Sequence, residues 1–289
     1  MDLLHLLQVL LLAIVQGAAE LLPVSSSAHV TIAARLIGYD MKQVYEWTFL
    51  LVMLHTGTMF AVLIYFWPRW KRLRAAVPAV IVATLATATV GYPLKHVVEK
   101  VFLNHDASAQ PQEIEQLFLN LPLMACSLSL VGVLIIVAGM KDERLPSQGG
   151  TVDPMRAAAI GCVQGLALPF RGFSRSGSTI SAGMLLGINR ITAEEFSFAL
   201  AVIVTPVVIA REVFMLVKEH AQSTAGAVSI GQLMLPSLVG MVASFGAGLL
   251  ALRWLSSWLE KGRWKFFGFY CLAAAAAVIA LHASGIGAT

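Results

Sequence analysis

The chain has 289 residues, of which 58% are hydrophobic and only 12% charged, with a formal net charge of +4. Soluble domains carry about 25% charged residues, so this composition excludes an ordinary soluble enzyme and reads as one polytopic membrane domain over 1–289. No basic stripe with interleaved aromatics is present, which excludes a nucleic-acid partner, and Cys126, Cys162 and Cys271 are spaced neither for a metal nor for an even disulfide set.

The apolar run at 6–15 is followed by Gly17-Ala18-Ala19, but the opening Met1-Asp2-Leu3-Leu4-His5 lacks a basic n-region, so a cleaved signal peptide is not expected. Residues 3–39 read as an interrupted apolar segment: a dozen apolar residues, a Ser-rich turn with Pro23, then a second short stretch. Residues 47–67, 75–94 and 117–139 are long and apolar enough for full spans, at about 20 residues each. The interrupted pattern returns at 155–189, followed by spans at 196–217, 231–252 and the Ala-rich 266–284. Short, broken apolar segments in corresponding places predict two re-entrant helical hairpins.

Lys and Arg in short loops set the orientation. Arg69, Lys71, Arg72 and Arg74 after the first span, and Arg253, Lys261, Arg263 and Lys265 before the last, place those loops in the cytoplasm. The 95–116 loop is acidic on balance, with Glu99, Asp106, Glu113 and Glu115, and falls outside. Trp47, Trp67, Trp70, Trp254, Trp258 and Trp264 fall near span ends, as an interfacial belt does.

The two interrupted segments belong to an internal repeat, with copies over about 3–67 and 155–217. Val15-Gln16-Gly17 matches Val163-Gln164-Gly165, Ser25-Ser26-Ser27 matches Ser174-Arg175-Ser176, and Thr31-Ile32 matches Thr179-Ile180. Gly38 matches Gly187, Glu46 matches Glu195 and Thr56 matches Thr205. Three spans lie between Glu46 and Glu195, an odd number, so the copies enter from opposite faces. The expected fold is therefore an all-α membrane bundle with an inverted-topology repeat, its two Ser-rich turns meeting inside.

Those turns carry the chemistry. In copy one, Gln16 and Glu20 are four apart and share a helix face; Pro23 ends that helix, and Ser25, Ser26, Ser27 and His29 follow. A carboxylate inside an apolar segment marks a functional site by default. In copy two, Arg175 sits between Ser174 and Ser176, and its forked donors suit phosphate oxygens. Gly172 and Gly177 would let backbone N–H groups approach an anion, and a helix starting near Thr179 would add its positive end. Copy two thus supplies an anion cradle and copy one a Glu, Ser and His set, a pairing suited to phosphate ester or anhydride chemistry. His55, inside a span, reads as a hydrogen-bonded core residue, and Glu46 and Glu195 as structural.

At these residues the chain resembles the bacitracin-resistance type of undecaprenyl-diphosphatase. Gln16-Gly17-Ala18-Ala19-Glu20 through Pro23, Ser25, Ser26 and His29 is similar to the family's first motif, and Arg171-Gly172-Phe173-Ser174-Arg175-Ser176-Gly177-Ser178-Thr179 to its second. The resemblance implies an inner-membrane enzyme that removes the terminal phosphate of C55 isoprenyl diphosphate, with re-entrant helices and a divalent cation, Mg²⁺ or Ca²⁺. Glu20 would hold the cation with Gln16, which stands where many members have Glu; Arg171 stands where the family usually has Pro. Glu20, Ser26, His29 and Arg175 are the expected catalytic residues. Ser25, Ser27, Gly172, Ser174, Ser176, Gly177 and Thr179 are the expected substrate ligands. Ser26 as nucleophile and a water activated by His29 or Glu20 both fit. The expected partners are the lipid substrate, the bilayer and a second copy of the chain, and the site is expected to open to the outer side. An inverted repeat also suits a transporter or flippase of a phosphorylated polyprenyl lipid; the Glu20, Ser26 and His29 set, which transport alone does not require, separates the two.

Overall fold

The first apolar run forms helix α1 (Leu3–Leu21), which continues until Pro23 removes the backbone donor and restricts Leu22. The chain reverses through Ser25, whose φ of 70° makes it the one non-glycine residue with positive φ among the described residues. It then enters α2 (Ser26–Leu36). This computed structural model describes residues 3–41, 44–69, 74–102, 120–144, 151–222 and 230–284. Lys71, Arg72, Asp106, Glu113 and Glu115, used above for orientation, lie outside the described residues.

Eight further helices follow: α3 (Val44–Tyr65), α4 (Val77–Phe102), α5 (Leu121–Arg144), α6 (Pro154–Ala167), α7 (Arg175–Leu185), α8 (Arg190–Gln222), α9 (Ile230–Glu260) and α10 (Trp264–Ala283). No strand occurs among the described residues. Seven helices, α1, α3, α4, α5, α8, α9 and α10, are long and apolar enough to cross a membrane. The sequence reading gave six full spans; the seventh helix of sufficient length is α1, which it took as half of a re-entrant hairpin. Gln16 and Glu20 interrupt its hydropathy without breaking the helix, because both are good helix formers. Its repeat partner α6 is shorter, fixed at its start by Pro154 and by the Asp153 side chain, which accepts from Arg156 N at 2.9 Å.

The first helix of each copy packs on a helix outside both copies. α1 lies along α9, and α6 lies along α4. Repeat-related glycines bring the backbones together: a Cβ on Gly17 would fall 2.5 Å from Ser244 O, and one on Gly165 would fall 2.8 Å from Thr87 O. Neither helix pair could approach this closely with a larger residue. α5 and α10 pack as a pair, with Gly132 against Gly268. One buried cluster joins both copies, running from Leu21, Val24 and Phe66 to Ile180, Phe196 and Trp264. Trp264 is therefore core and not interfacial belt; its Nε1 donates to Ser181 Oγ at 3.0 Å.

The repeat is visible in local detail. α2 and α7 both end on a glycine in the left-handed region, Gly38 at φ 66° and Gly187 at φ 78°. Both ends are closed by the same pair of backbone bonds, Gly38 N to Arg35 O with Tyr39 N to Ala34 O, and Gly187 N to Met184 O with Ile188 N to Gly183 O. The surroundings differ. α7 packs against α5, α6 and α8, and Thr179 bonds Ser197 of α8 at 2.6 Å. α2 leans chiefly on α1, and a cavity lies between it and α3.

Candidate active site

The sequence places Glu20 one residue from the end of α1 and Arg175 at the start of α7, and the fold brings the two ends together. Arg175 Nη2 donates to Glu20 Oε1 at 3.0 Å, and Nη1 donates to Thr205 Oγ1 on α8 at 3.2 Å. Glu20 Oε2 accepts from Ser26 Oγ at 2.5 Å and from Gln16 Nε2 at 3.2 Å. Both charged side chains are largely withdrawn from solvent, with 14% of Glu20 and 18% of Arg175 exposed. A buried carboxylate needs such partners, since an unpaired charge there costs several kcal/mol.

This cluster forms one wall of a cavity of about 290 Å³. Gln16, Glu20, Ser25, Ser26 and Ser27 line it from copy one, and Arg171, Ser174, Arg175 and Ser176 from copy two. Apolar side chains, among them Trp47, Leu51, Phe170, Phe173 and Val208, complete the lining, with Glu212 at the α8 end. A polar end and an apolar wall suit an amphipathic ligand with a small charged head.

The two turns differ in what they offer an anion. Ser174 Oγ caps α7 by accepting from Gly177 N at 3.1 Å. Ser25 makes no such bond to α2; its Oγ meets Ser27 Oγ at 3.3 Å. The uncapped first turn of α2, in a segment that faces the cavity, leaves its N–H groups for a ligand. Ser25 is kept at its strained φ by contacts around it, among them the bond from His29 Nδ1 to its carbonyl.

Three expected ligands and one expected catalytic residue, His29, lie away from the cavity lining. Gly172, at φ 98°, packs on α5, where a Cβ would meet Met124 O at 2.6 Å. Gly177 packs on Pro23 O and is used by the α7 cap. Thr179 is buried, bonded to Arg175 O at 2.8 Å and to Ser197. His29 has both ring nitrogens engaged, Nδ1 with Ser25 O and Nε2 with Tyr270 Oη, each at 2.8 Å. The carbonyl only accepts, so Nδ1 carries the proton and Nε2 receives the tyrosine hydroxyl. His29 thus ties the Ser25 turn to α10.

Two residues that sequence reasoning did not place in the site are there. His55, read as core, lines the cavity with Nε2 3.7 Å from Glu20 Oε2. Thr205 holds Arg175. The signal for His55 was its polarity within a span; for Thr205 it was the match to Thr56.

Fold and site together define a polytopic helical membrane protein with a cavity lined by residues of both repeat copies, Glu20 and Arg175 among them. The chain belongs to the family described as bacitracin resistance protein BacA, which residues 9–277 match. It is 51% identical to "Undecaprenyl-diphosphatase 2" of Acinetobacter baylyi, over 97% of this chain and 98% of that one. It is 33% identical to an undecaprenyl-diphosphatase of Rhodopirellula baltica, over 96% and 98%. With one from Thermus thermophilus it shares 32% identity, over 93% and 94%.

Proposed function

We infer that the chain is an undecaprenyl-diphosphatase, a multi-pass enzyme of the bacterial inner membrane. It hydrolyses C55 isoprenyl diphosphate to the monophosphate carrier lipid and inorganic phosphate, which supports peptidoglycan synthesis and gives bacitracin resistance. Full-length similarity to proteins of that name supports this reading. The observation that carries it is the placement of Glu20 between Ser26 and Arg175 in the wall of the cavity.

In this mechanism the diphosphate enters head first, its polyprenyl tail along the apolar wall. Arg175 and the free N–H groups of α2 hold the terminal phosphate and take up charge as the bridging bond lengthens. Glu20 Oε2 takes the Ser26 proton, and Ser26 Oγ bonds to the terminal phosphorus. The bond from phosphorus to the bridging oxygen breaks, and the departing polyprenyl monophosphate takes the proton from Glu20. Water then cleaves the phosphoserine, giving inorganic phosphate and restoring Ser26. His29 orients the turn that carries Ser26.

A divalent cation fits the same place. Glu20, Ser26 Oγ and the Gln16 amide oxygen supply hard oxygen donors, and Mg²⁺ or Ca²⁺ is commonly held by one or two carboxylates together with substrate phosphates. Amide O and N are interchangeable by rotation of the Gln16 side chain. The cation would neutralise the diphosphate. The family's role calls for a cavity open to the outer side, and basic-loop parity for two hairpins entering from opposite faces. A second copy of the chain is retained as a partner, to be tested by mass measurement in detergent.

The experiment is phosphate release from C55 isoprenyl diphosphate by purified protein, with and without EDTA, beside Arg175→Ala. Release that EDTA and the substitution both abolish supports the whole reading. No release from folded protein overturns it.

A further inference from the structure

We propose that His55 is a direct ligand of the cation held at Glu20, so that the site presents an imidazole nitrogen among its oxygens. The proposal rests on the cation reading above. Three observations carry it.

The first is orientation. His55 Nδ1 lies 2.8 Å from Leu51 O, one helical turn back on α3. A carbonyl can only accept, so Nδ1 donates to it and Nε2 is the nitrogen turned toward Glu20. Histidines that bind metals are held in this way, one nitrogen donating to a carbonyl and the other left to coordinate.

The second is separation. Nε2 and Glu20 Oε2 are 3.7 Å apart, beyond hydrogen-bond reach. Two donors sharing one cation at about 2.1 Å each stand roughly 3.0 to 4.2 Å apart, depending on the angle between them. The observed spacing falls within that range.

The third is place. Among the described residues, His55 is the histidine in the cavity wall. Gln16 supplies an amide beside the single carboxylate of Glu20, and His55 adds a third donor from α3. An imidazole beside oxygen ligands moves the preference from Ca²⁺ and Mg²⁺ toward ions such as Zn²⁺ and Fe²⁺, and Mn²⁺, which accepts both donor types, serves as the paramagnetic probe.

The test is electron spin-echo spectroscopy of Mn²⁺ bound to the purified full chain in detergent. Wild-type protein should show modulation from one directly coordinated nitrogen. Labelling histidine with ¹⁵N should change it, which identifies the ligand without any substitution. The signal should persist in His29→Gln and vanish in His55→Gln. Bound Mn²⁺ without nitrogen coupling, or coupling that survives His55→Gln, overturns the proposal and leaves the cation reading standing. A protein that binds no Mn²⁺, Mg²⁺ or Ca²⁺ overturns both.

Discussion

Arg175 Nη2 meets Glu20 Oε1 at 3.0 Å across 155 positions of sequence, one residue from each repeat copy. This bond is where the two halves of the chain become one site, and it makes stability and activity separable by substitution. Arg175→Ala strands a buried carboxylate and should destabilise by about 3–5 kcal/mol, with phosphate release falling by roughly 10²-fold or more. Adding Glu20→Gln should recover much of the melting temperature and none of the activity. Thermal scanning and phosphate assays on the three proteins measure this.

Ser26→Ala removes the hydroxyl that bonds Glu20 Oε2, whereas Ser27→Ala removes one that meets only Ser25 Oγ among the described contacts. Turnover should drop by about 10³-fold or more in the first and by less than about tenfold in the second. Equal losses would remove Ser26 from the role of nucleophile.

His29→Gln and Tyr270→Phe break the bond between α2 and α10. Each should cost about 1 kcal/mol in stability and leave turnover within about tenfold of wild type. A loss of 10³-fold in folded His29→Gln would make it the general base instead.

What the sequence disclosed follows from what stands out in an apolar chain. Glu20, Gln16 and Arg175 were legible because polar groups there need a reason, and the repeat said which segments meet. Gly172 and Gly177 were legible as glycines with a purpose, but spacing cannot separate a backbone that nears a ligand from one that nears a helix; here each approaches a carbonyl, Met124 O and Pro23 O. His29 and His55 read the other way round. Their roles depend on where each ring points, toward Tyr270 or toward Glu20, and that is set by packing between distant helices. The full length of α1 was hidden because hydropathy falls at Gln16 and Glu20 while the helix does not end.

Gly17→Ala and Gly165→Ala test the packing of α1 on α9 and of α6 on α4. Each introduces a methyl against a carbonyl of the facing helix, Ser244 O or Thr87 O. Both should lose about 1–3 kcal/mol from overpacking, and by similar amounts if the repeat relation holds in energy as in geometry. Melting temperatures in one detergent decide it.

The pairing of α1 with α9 also governs how the protein is made. α1 ends at Leu21 and its partner begins at Ile230. At about 5–20 residues per second, roughly 10–40 s of translation separate the two. Throughout that interval the Gly17 face waits in the bilayer without its groove, and the half-built chain has nowhere to seat it. Biogenesis must therefore keep the first hairpin open to late arrivals, and neither half, released alone, holds the helix that completes it.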